Sequence, residues 1–335
     1  MKWVGVMALA LAGAAEAGAR CDAVKIDRLP VCVDGANGLV FGSDRAQAEA
    51  ILAAIETGRP KFEALFGRPA AAYAVVFDSP TRDEIAMLKA AGYPVTLPWI
   101  DASRLVAEFE QKLRDAITEK LPNLSKEQID AIIASKLDEL SASIGGPSAA
   151  AHEMGHLWFT HAFWASVMDS DAPITHYGSP APDWLDEISG LAFEDDAMAA
   201  DRRQRFKDLW TKGEGIAPLP AYLAMPHPEL DKALERARSE PRAAGEGGKI
   251  VVGAEASDGA VATSAFYAQG RVFADFLIAV AKPGVLGVIA TAMADGKTFE
   301  AWLATDGAAQ GLPADLAGLE TRWIGWATAA YGVPD

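Results

Sequence analysis

The chain has 335 residues, of which 50% are hydrophobic, enough to bury the core of one large or two medium domains. It carries 30 basic and 46 acidic residues, which give a formal net charge of −16. This charge would repel a phosphate backbone or an anionic membrane surface at short range, so we expect no nucleic-acid partner.

The first 19 residues have the pattern of a secretory signal peptide. Lys2 precedes an apolar run from Trp3 to Ala15, and small residues follow as far as Ala19. The run is too short to span a bilayer comfortably, and it ends in an A-x-A type cleavage pattern. The sequence therefore predicts a periplasmic or secreted protein, with an uncleaved N-terminal anchor as the alternative. No apolar, uncharged run of 18 residues follows residue 20, so no later transmembrane helix is expected.

Cys21 and Cys32 are the only cysteines of the chain, and both follow the predicted cleavage site. Export would place them in an oxidising compartment, where two such thiols are expected to pair. The sequence therefore predicts a disulfide that closes a short N-terminal loop. Two free thiols in a reducing compartment are the alternative.

Helices and short strands alternate in the segment 20–100. Apolar residues recur at helical spacing over 44–67, residues 71–79 have the pattern of a buried strand, and a helix is predicted over 81–91. We therefore expect this segment to form an α/β part with a small sheet.

Residues 101–145 are predicted to form a charged helical insertion. They contain two helical segments, the second opened by a capping box from Ser125 to Gln128. Because the insertion directly precedes the segment with the strongest chemical signal, a lid over a cleft is one interpretation. A solvated surface hairpin is the other.

The remaining segment, 146–335, is predicted to be mainly helical. Helices are expected over 183–210, 228–238 and 264–281, with a Gly-rich loop at 241–259. The last helix carries an apolar stripe of Phe266, Val272, Phe273, Phe276 and Leu277. The predicted fold class is therefore α+β, mainly helical, with a small N-terminal sheet.

The stretch AAAHEMGHLWF, at 149–159, suggests a metal site. On a helix, His152 and His156 lie one turn apart on one face, so both imidazoles can bind one Zn²⁺ while Glu153 projects beside it. Glu153 can then take a proton from a zinc-bound water that attacks a carbonyl carbon. The chain has only five histidines, and His161 falls away from the ligand face. A core helix with hydrogen-bonded histidines is the alternative.

A catalytic zinc usually has three protein ligands and a water, so a third ligand must come from elsewhere. Glu187 is our first choice because it lies in the first turns of a predicted helix that starts at Asp183, with Asp186 completing the cap. His176 is nearer to the motif, but it lies among Pro and Gly residues with no helix to hold it. Asp183 and Asp186 are the remaining candidates. A rigidly held ligand favours Glu187.

The pair HEMGH and WLDE, the latter at 184–187, resembles the H-E-x-x-H and W-L-x-E motifs of gluzincin zinc metallopeptidases, the group that contains thermolysin and aminopeptidase N type enzymes. FYAQGRVFADFL and GKTFEAWL are similar to the C-terminal helices of small bacterial peptidase-MA-like proteins. The resemblance covers 148–330. It implies a thermolysin-like zincin domain with one catalytic Zn²⁺, Glu187 as the third ligand, and a peptide or protein substrate.

The sequence also departs from this family. Thirty residues lie between His156 and Glu187, more than in the aminopeptidase type, and Ile188 stands where Gly is common. No Gly-x-Met-Glu-Asn motif is present to anchor a substrate amino terminus. An endopeptidase, or a member with a narrow substrate range, is therefore expected rather than an aminopeptidase.

The family commonly takes an oxyanion donor from its C-terminal helices, which implies Tyr267 here, with Tyr177 or His176 as the second choice. A plain core aromatic is the alternative for Tyr267. A different class of protein also remains open, in which the zinc site is structural and the chain binds a partner through the hairpin at 101–145.

Overall fold

The computed structural model describes residues 19–100, 102–121, 123–143, 146–168, 178–228 and 258–334, without the side chains of 102–108, 138–143 and 258–261. Several predicted features lie outside the described residues: the signal peptide up to residue 18, His176, Tyr177, most of the helix at 228–238, and the Gly-rich loop up to residue 257.

The described residues are mainly helical, with one four-stranded sheet, which confirms the predicted α+β class. The strands are β1 (Val31–Asp34), β2 (Gly38–Gly42), β3 (Tyr73–Phe77) and β4 (Val95–Trp99). The helices are α1 (Ala19–Ala23), α2 (Arg45–Phe66), α3 (Arg82–Ala90), α4 (Ala102–Lys120), α5 (Lys126–Ser143), α6 (Pro147–Trp164), α7 (Asp183–Leu191), α8 (Asp196–Thr211), α9 (Leu219–Ala224), α10 (Asp258–Val280), α11 (Val285–Ala294), α12 (Phe299–Trp302) and α13 (Leu316–Tyr331). A 3₁₀ turn at Ala165–Val167, a π-helical turn at Leu303–Gly307 and a 3₁₀ turn at Ala308–Gln310 complete the described elements.

The sheet has the order β1-β2-β3-β4, in which β1 is antiparallel to β2 and the other pairs are parallel. All residues of β2 and β3 are buried, as expected for central parallel strands covered on both faces. Helices α2 and α3 make the two parallel crossovers. The edge strand β4 lies against α6, so the sheet supports the helix that carries the histidine motif.

A disulfide between Cys21 and Cys32 joins α1 to β1, as predicted from the sequence. Arg20 forms an ion pair with Asp34 at 2.9 Å, next to this bond. The disulfide is compatible with an exported protein.

Helix α2 is the main neighbour of α6. It begins where the Asp44 carboxylate accepts a hydrogen bond from the Gln47 amide at 2.7 Å, and it ends at Gly67 with a φ of 63°. Its Phe62 ring lies 5.8 Å from the Trp158 ring of α6 in the buried core. The histidine helix is therefore packed between α2, the sheet and the C-terminal helices.

The predicted helix over 183–210 is two helices, α7 and α8, so the single-helix prediction was wrong. The break comes where Asp195 adopts extended backbone angles and its carboxylate accepts a hydrogen bond from the Met198 amide at 2.8 Å. This cap starts a new helix, and it leaves Glu194 in the turn between α7 and α8.

The charged insertion forms α4 and α5, which pack on each other. The predicted capping box is present, since the Ser125 amide donates to Gln128 at 2.9 Å and the Gln128 amide donates to the Ser125 hydroxyl at 3.3 Å. Ile117 and Ile133 are buried, and most other described side chains of the pair are exposed.

Helix α10 packs on α7 and α8. Its predicted apolar stripe is buried throughout, which confirms that part of the prediction: Phe266, Val272, Phe273, Phe276 and Leu277. Among the described residues no single helix is long and apolar enough to cross a membrane, although the bent pair Ala262–Val280 and Val285–Ala294 would qualify by length and composition alone.

Candidate metal centre

Helix α6 places His152 and His156 on one face, as the four-residue spacing predicts. The helix starts at Pro147, immediately after Gly146, in the position where proline is tolerated. The two Nε2 atoms are 3.1 Å apart, and the residues are only 7% and 6% exposed. Two buried imidazoles thus present their Nε2 atoms to the same small volume.

Glu187 of α7 faces these two nitrogens. Its Oε1 is 3.2 Å from His152 Nε2 and its Oε2 is 3.9 Å from His156 Nε2, and the residue is fully buried. The two helices approach closely at Gly155, where an added Cβ would lie 2.3 Å from the Ser189 carbonyl oxygen. One ligand atom from each of the three residues lies within 4.8 Å of the others, so the group could hold a metal ion. The structure thus brings together the three residues predicted as ligands.

The spacing fits a small cation with nitrogen and oxygen ligands. Atoms bound at about 2.0–2.1 Å around a tetrahedral Zn²⁺ lie about 3.3 Å apart, close to the shorter distances observed here. Gly190 leaves space beside the pair, because an added Cβ would lie 2.6 Å from His156 Nε2 and 2.7 Å from His152 Nε2. Both oxygens of Glu187 are buried without a hydrogen bond of regular geometry from the described residues. A cation bound beside His152 would satisfy Oε1, whereas Oε2 also lies 3.3 Å from His227 Nε2.

Buried carboxylates orient the other nitrogen of each imidazole. Glu194 Oε1 lies 3.4 Å from His152 Nδ1, and Asp186 Oδ2 lies 2.8 Å from His156 Nδ1. Such carboxylate–histidine pairs fix the ring and its tautomer, and they leave Nε2 available to a metal. The prediction that Asp186 completes the helix cap was wrong: α7 has no side-chain cap bond, and Asp186 turns to His156 instead.

Glu194 is also tied to Arg202 of α8. The guanidinium donates to Glu194 Oε1 at 3.1 and 3.3 Å and lies 4.7 Å from the centre of the Tyr267 ring. Glu194 was not singled out from the sequence, because it lies in a turn where no helical or strand spacing marks it. Arg202 thereby connects the cluster of candidate metal ligands to α10.

The electrostatics of the cluster favour a bound positive charge. Burial alone would lower the pKa of His152, but the carboxylates of Glu187 and Glu194 outweigh it and raise that pKa to about 10. Burial alone would raise the pKa of Glu187, but His152 and its neighbours hold it well below its usual range. Both shifts have one physical cause, which is the attraction between the buried carboxylates and a positively charged imidazolium at His152. A metal cation bound to the imidazoles could supply that positive charge in place of the protons.

Glu153 lies beside the cluster and is half-buried. Its carboxylate takes part in no hydrogen bond or ion pair among the described residues. Its charge nevertheless contributes to the raised pKa of His152. The carboxylate is therefore close enough to His152 for its charge to act on that imidazole.

Tyr267 of α10 borders the cluster, where the sequence predicted a donor. Its half-buried ring has its centre 6.1 Å from that of His152 and 5.6 Å from that of His227. Tyr222 of α9, not singled out from the sequence, is fully buried nearby. Burial first, and then the charge of Glu187, raises the pKa of Tyr222 well above its usual value.

His227, like Glu194 and Tyr222, was not singled out from the sequence. It is fully buried, and its Nε2 lies 3.3 Å from Glu187 Oε2. Its sequence neighbours Pro226 and Pro228 gave a signal of a rigid backbone, but no spacing linked it to the motif. His161, by contrast, is half-buried and outside the cluster, as predicted.

Comparison with known proteins adds no assignment: no family model, no curated protein and no solved structure matches this chain. The function must therefore be inferred from the geometry and chemistry of the site.

Proposed function

We propose that the chain is an exported zinc-dependent metallopeptidase of the gluzincin type, with a thermolysin-like catalytic domain. This proposal rests on the buried cluster of His152, His156 and Glu187. Glu153 is next to His152 in the sequence, and its carboxylate forms no hydrogen bond or ion pair among the described residues. Two imidazoles and one carboxylate form a known ligand set of catalytic zinc in hydrolases.

Zinc is favoured over other metals by the position of Glu153. Two histidines and a carboxylate also bind iron(II) in oxygenases, so the donor set alone does not select the metal. A glutamate between two histidines on one helix, however, is the arrangement that zinc hydrolases use for their general base. Metal analysis of the purified protein would distinguish zinc from iron.

Zn²⁺ bound there would polarise a substrate carbonyl and lower the pKa of water, which makes water nucleophilic near neutral pH. Glu153 would accept the proton of the attacking water and pass it to the departing amine. Glu194 and Asp186 would hold the imidazoles through their Nδ1 atoms, so that little reorganisation is needed during reaction. Tyr267, at the border of the cluster, would donate a hydrogen bond to the carbonyl oxygen as negative charge develops there.

Export is supported by two features. The first 19 residues have the signal-peptide pattern, and the Cys21–Cys32 disulfide is of the kind that persists in oxidising compartments. The peptide or protein substrate is then expected in the periplasm or outside the cell.

The competing function is a zinc-stabilised binding protein that acts through the α4–α5 pair. A structural site usually has four protein ligands and no use for a neighbouring base. The described residues supply three metal-ligand candidates, with Glu153 beside them, so the catalytic interpretation accounts for one more feature of the site.

The test combines zinc content with Glu153→Gln. Purified wild type should contain one zinc and cleave an internally quenched peptide library. Glu153→Gln should keep the zinc and lose about 10²–10⁴-fold in kcat, because an amide cannot accept the proton. Glu300→Gln, at an exposed position of α12, is the matched control and should retain full activity. Equal kcat for wild type and Glu153→Gln would refute the catalytic role, and wild type without zinc would refute the metal site.

A further inference from the structure

The fully buried His227 lies at the second oxygen of Glu187, opposite the histidine motif. One Glu187 oxygen, Oε1, faces His152 Nε2 at 3.2 Å, and the other, Oε2, faces His227 Nε2 at 3.3 Å. No described group of mutually close metal-ligand atoms includes His227. Its ring therefore contacts the carboxylate from outside the three-residue cluster.

The backbone of His227 is held as firmly as its ring. Pro226 and Pro228 flank it, and proline restricts both its own φ and the conformation of the residue before it. Neither proline has an amide hydrogen, so the His227 amide is the only backbone donor of this tripeptide. It donates to Asp183 Oδ2 at 2.7 Å.

Asp183 and Glu187 are four residues apart on α7, so their side chains lie on the same face of that helix. The loop is thus attached to α7 at two points, through the His227 amide to Asp183 and through the imidazole to Glu187. In addition, the rings of Phe266 and Tyr267 of α10 lie 5.2 and 5.6 Å from the His227 ring. These contacts leave the imidazole little freedom to turn away.

We propose that His227 is a positioning residue for the metal centre: its Nε2–H donates to Glu187 Oε2 and keeps Oε1 directed at His152 Nε2. A buried carboxylate oxygen without a donor is costly, so loss of this imidazole would make Glu187 rotate or turn both oxygens towards the cation. The inference extends the proposed metal site, but it does not depend on the reaction catalysed there.

The test compares two substitutions, His227→Gln and His227→Asn, which place the same amide group on side chains of different length. The Gln side-chain nitrogen can reach the position of imidazole Nε2, whereas the shorter Asn side chain reaches only that of Nδ1. His227→Gln should therefore bind zinc within about threefold of wild type, and His227→Asn and His227→Ala should bind it about 10–100-fold more weakly, the usual effect of losing such a partner. His161→Asn, outside the cluster, is the control and should bind zinc as wild type does.

Two measurements read out the result without any assay of turnover. Chelator competition gives the zinc dissociation constant. The visible absorption of the Co²⁺-substituted protein reports coordination, and it should weaken in His227→Asn as Glu187 turns a second oxygen to the ion, but not in His227→Gln. If His227→Ala does not fold, the Asn and Gln variants still decide the question.

Equal zinc affinity and equal Co²⁺ spectra in wild type, His227→Asn and His227→Gln would overturn the positioning role while leaving the metal site intact. Equal losses in the Asn and Gln variants would overturn it too, since they would indicate a purely structural requirement for the ring. Wild type that binds neither ion would overturn both this inference and the proposed function. Tight metal binding without hydrolysis of any peptide would overturn only the proposed function.

Discussion

The helix pairs α6–α7 and α4–α5 each contain a close contact between a basic and an acidic side chain, which is buried in the first and exposed in the second. His156 Nδ1 and Asp186 Oδ2 are 2.8 Å apart, with side chains 7% and 0% exposed. Arg114 and Asp130 are 2.7 Å apart, with side chains 34% and 43% exposed. Distance alone would rank the two pairs as equals, so burial is the property that separates them.

Burial determines how much each of these two contacts matters for stability. Water screens the exposed pair and competes for its hydrogen bonds, so such a pair contributes little to stability. Charges removed from water are costly unless further partners compensate them, and breaking one buried partner leaves an uncompensated charge. Several carboxylates and imidazoles together in a core are therefore typical of a functional site. The predictions below test this difference between the two helix pairs, from the largest expected effect to the smallest.

The largest effect is expected from Gly190→Ala in α7. The new methyl group would lie within 2.7 Å of Nε2 of both His152 and His156, closer than real contacts allow. Stoichiometric zinc binding should be lost, although alanine favours the helix. Gly325→Ala in α13, where an added Cβ meets nothing within 4 Å, is the control and should keep its zinc. Zinc content by mass spectrometry checks both. Full zinc in Gly190→Ala would show that the ion does not lie where we place it.

Tyr267→Phe should lower kcat by about 10²-fold, the usual effect of removing one donor to a developing oxyanion. Zinc content should not change, because Tyr267 is outside the ligand cluster. Tyr93→Phe, in the buried layer against the sheet, provides the matched control and should keep its kcat. Steady-state kinetics on the same peptide substrate separate kcat from KM. An unchanged kcat in Tyr267→Phe would show that Tyr267 only packs against the site and donates no hydrogen bond in the reaction.

The sequence predicted the candidate metal ligands, which lie on helices, but it did not predict the residues of the site that lie in turns and loops. His152 and His156 share a face because the helical period fixes it, so their spacing alone predicts that they converge. Glu187 was found through its helix and the resemblance of its motif. Glu194 and His227 reach the cluster from a helix break and a loop, and their contacts depend on how distant segments pack.

The fold also has elements that the sequence predicted and elements that it did not. Helices α2 and α3 were predicted well because their apolar spacing and their caps are local signals. Strand β3 was found because its apolar run ends in a turn signal at Asp78, Ser79 and Pro80, whereas β1, β2 and β4 were not predicted individually. The break between α7 and α8 was missed because helix-forming residues continue through it, and only the cap made by Asp195 reveals a new start.

Matched substitutions of two aspartates compare the helix pairs directly. Asp186→Asn should weaken zinc binding by about 10–100-fold, because the amide no longer places a negative charge at His156 Nδ1. Asp130→Asn in α5 removes the same charge from the exposed pair and should leave zinc affinity unchanged. Chelator competition measures both variants under the same conditions. Equal zinc affinities would mean that the carboxylate at His156 serves packing and not the metal.

The smallest effect is expected from Arg114→Ala. Arg114 donates to Asp130 and, at 3.1 Å, to Glu110 of its own helix, and these carboxylates hold the pKa of the guanidinium above its usual value. All three side chains are about one-third or more exposed, so water replaces the lost bonds when the guanidinium is removed. We expect the melting temperature to stay within the error of the measurement, and any small decrease should disappear at high salt. Zinc content and kcat should equal those of wild type. A loss of zinc, or a broadened range of accepted peptide lengths, would instead show that the α4–α5 pair is coupled to the metal centre, as a lid would be.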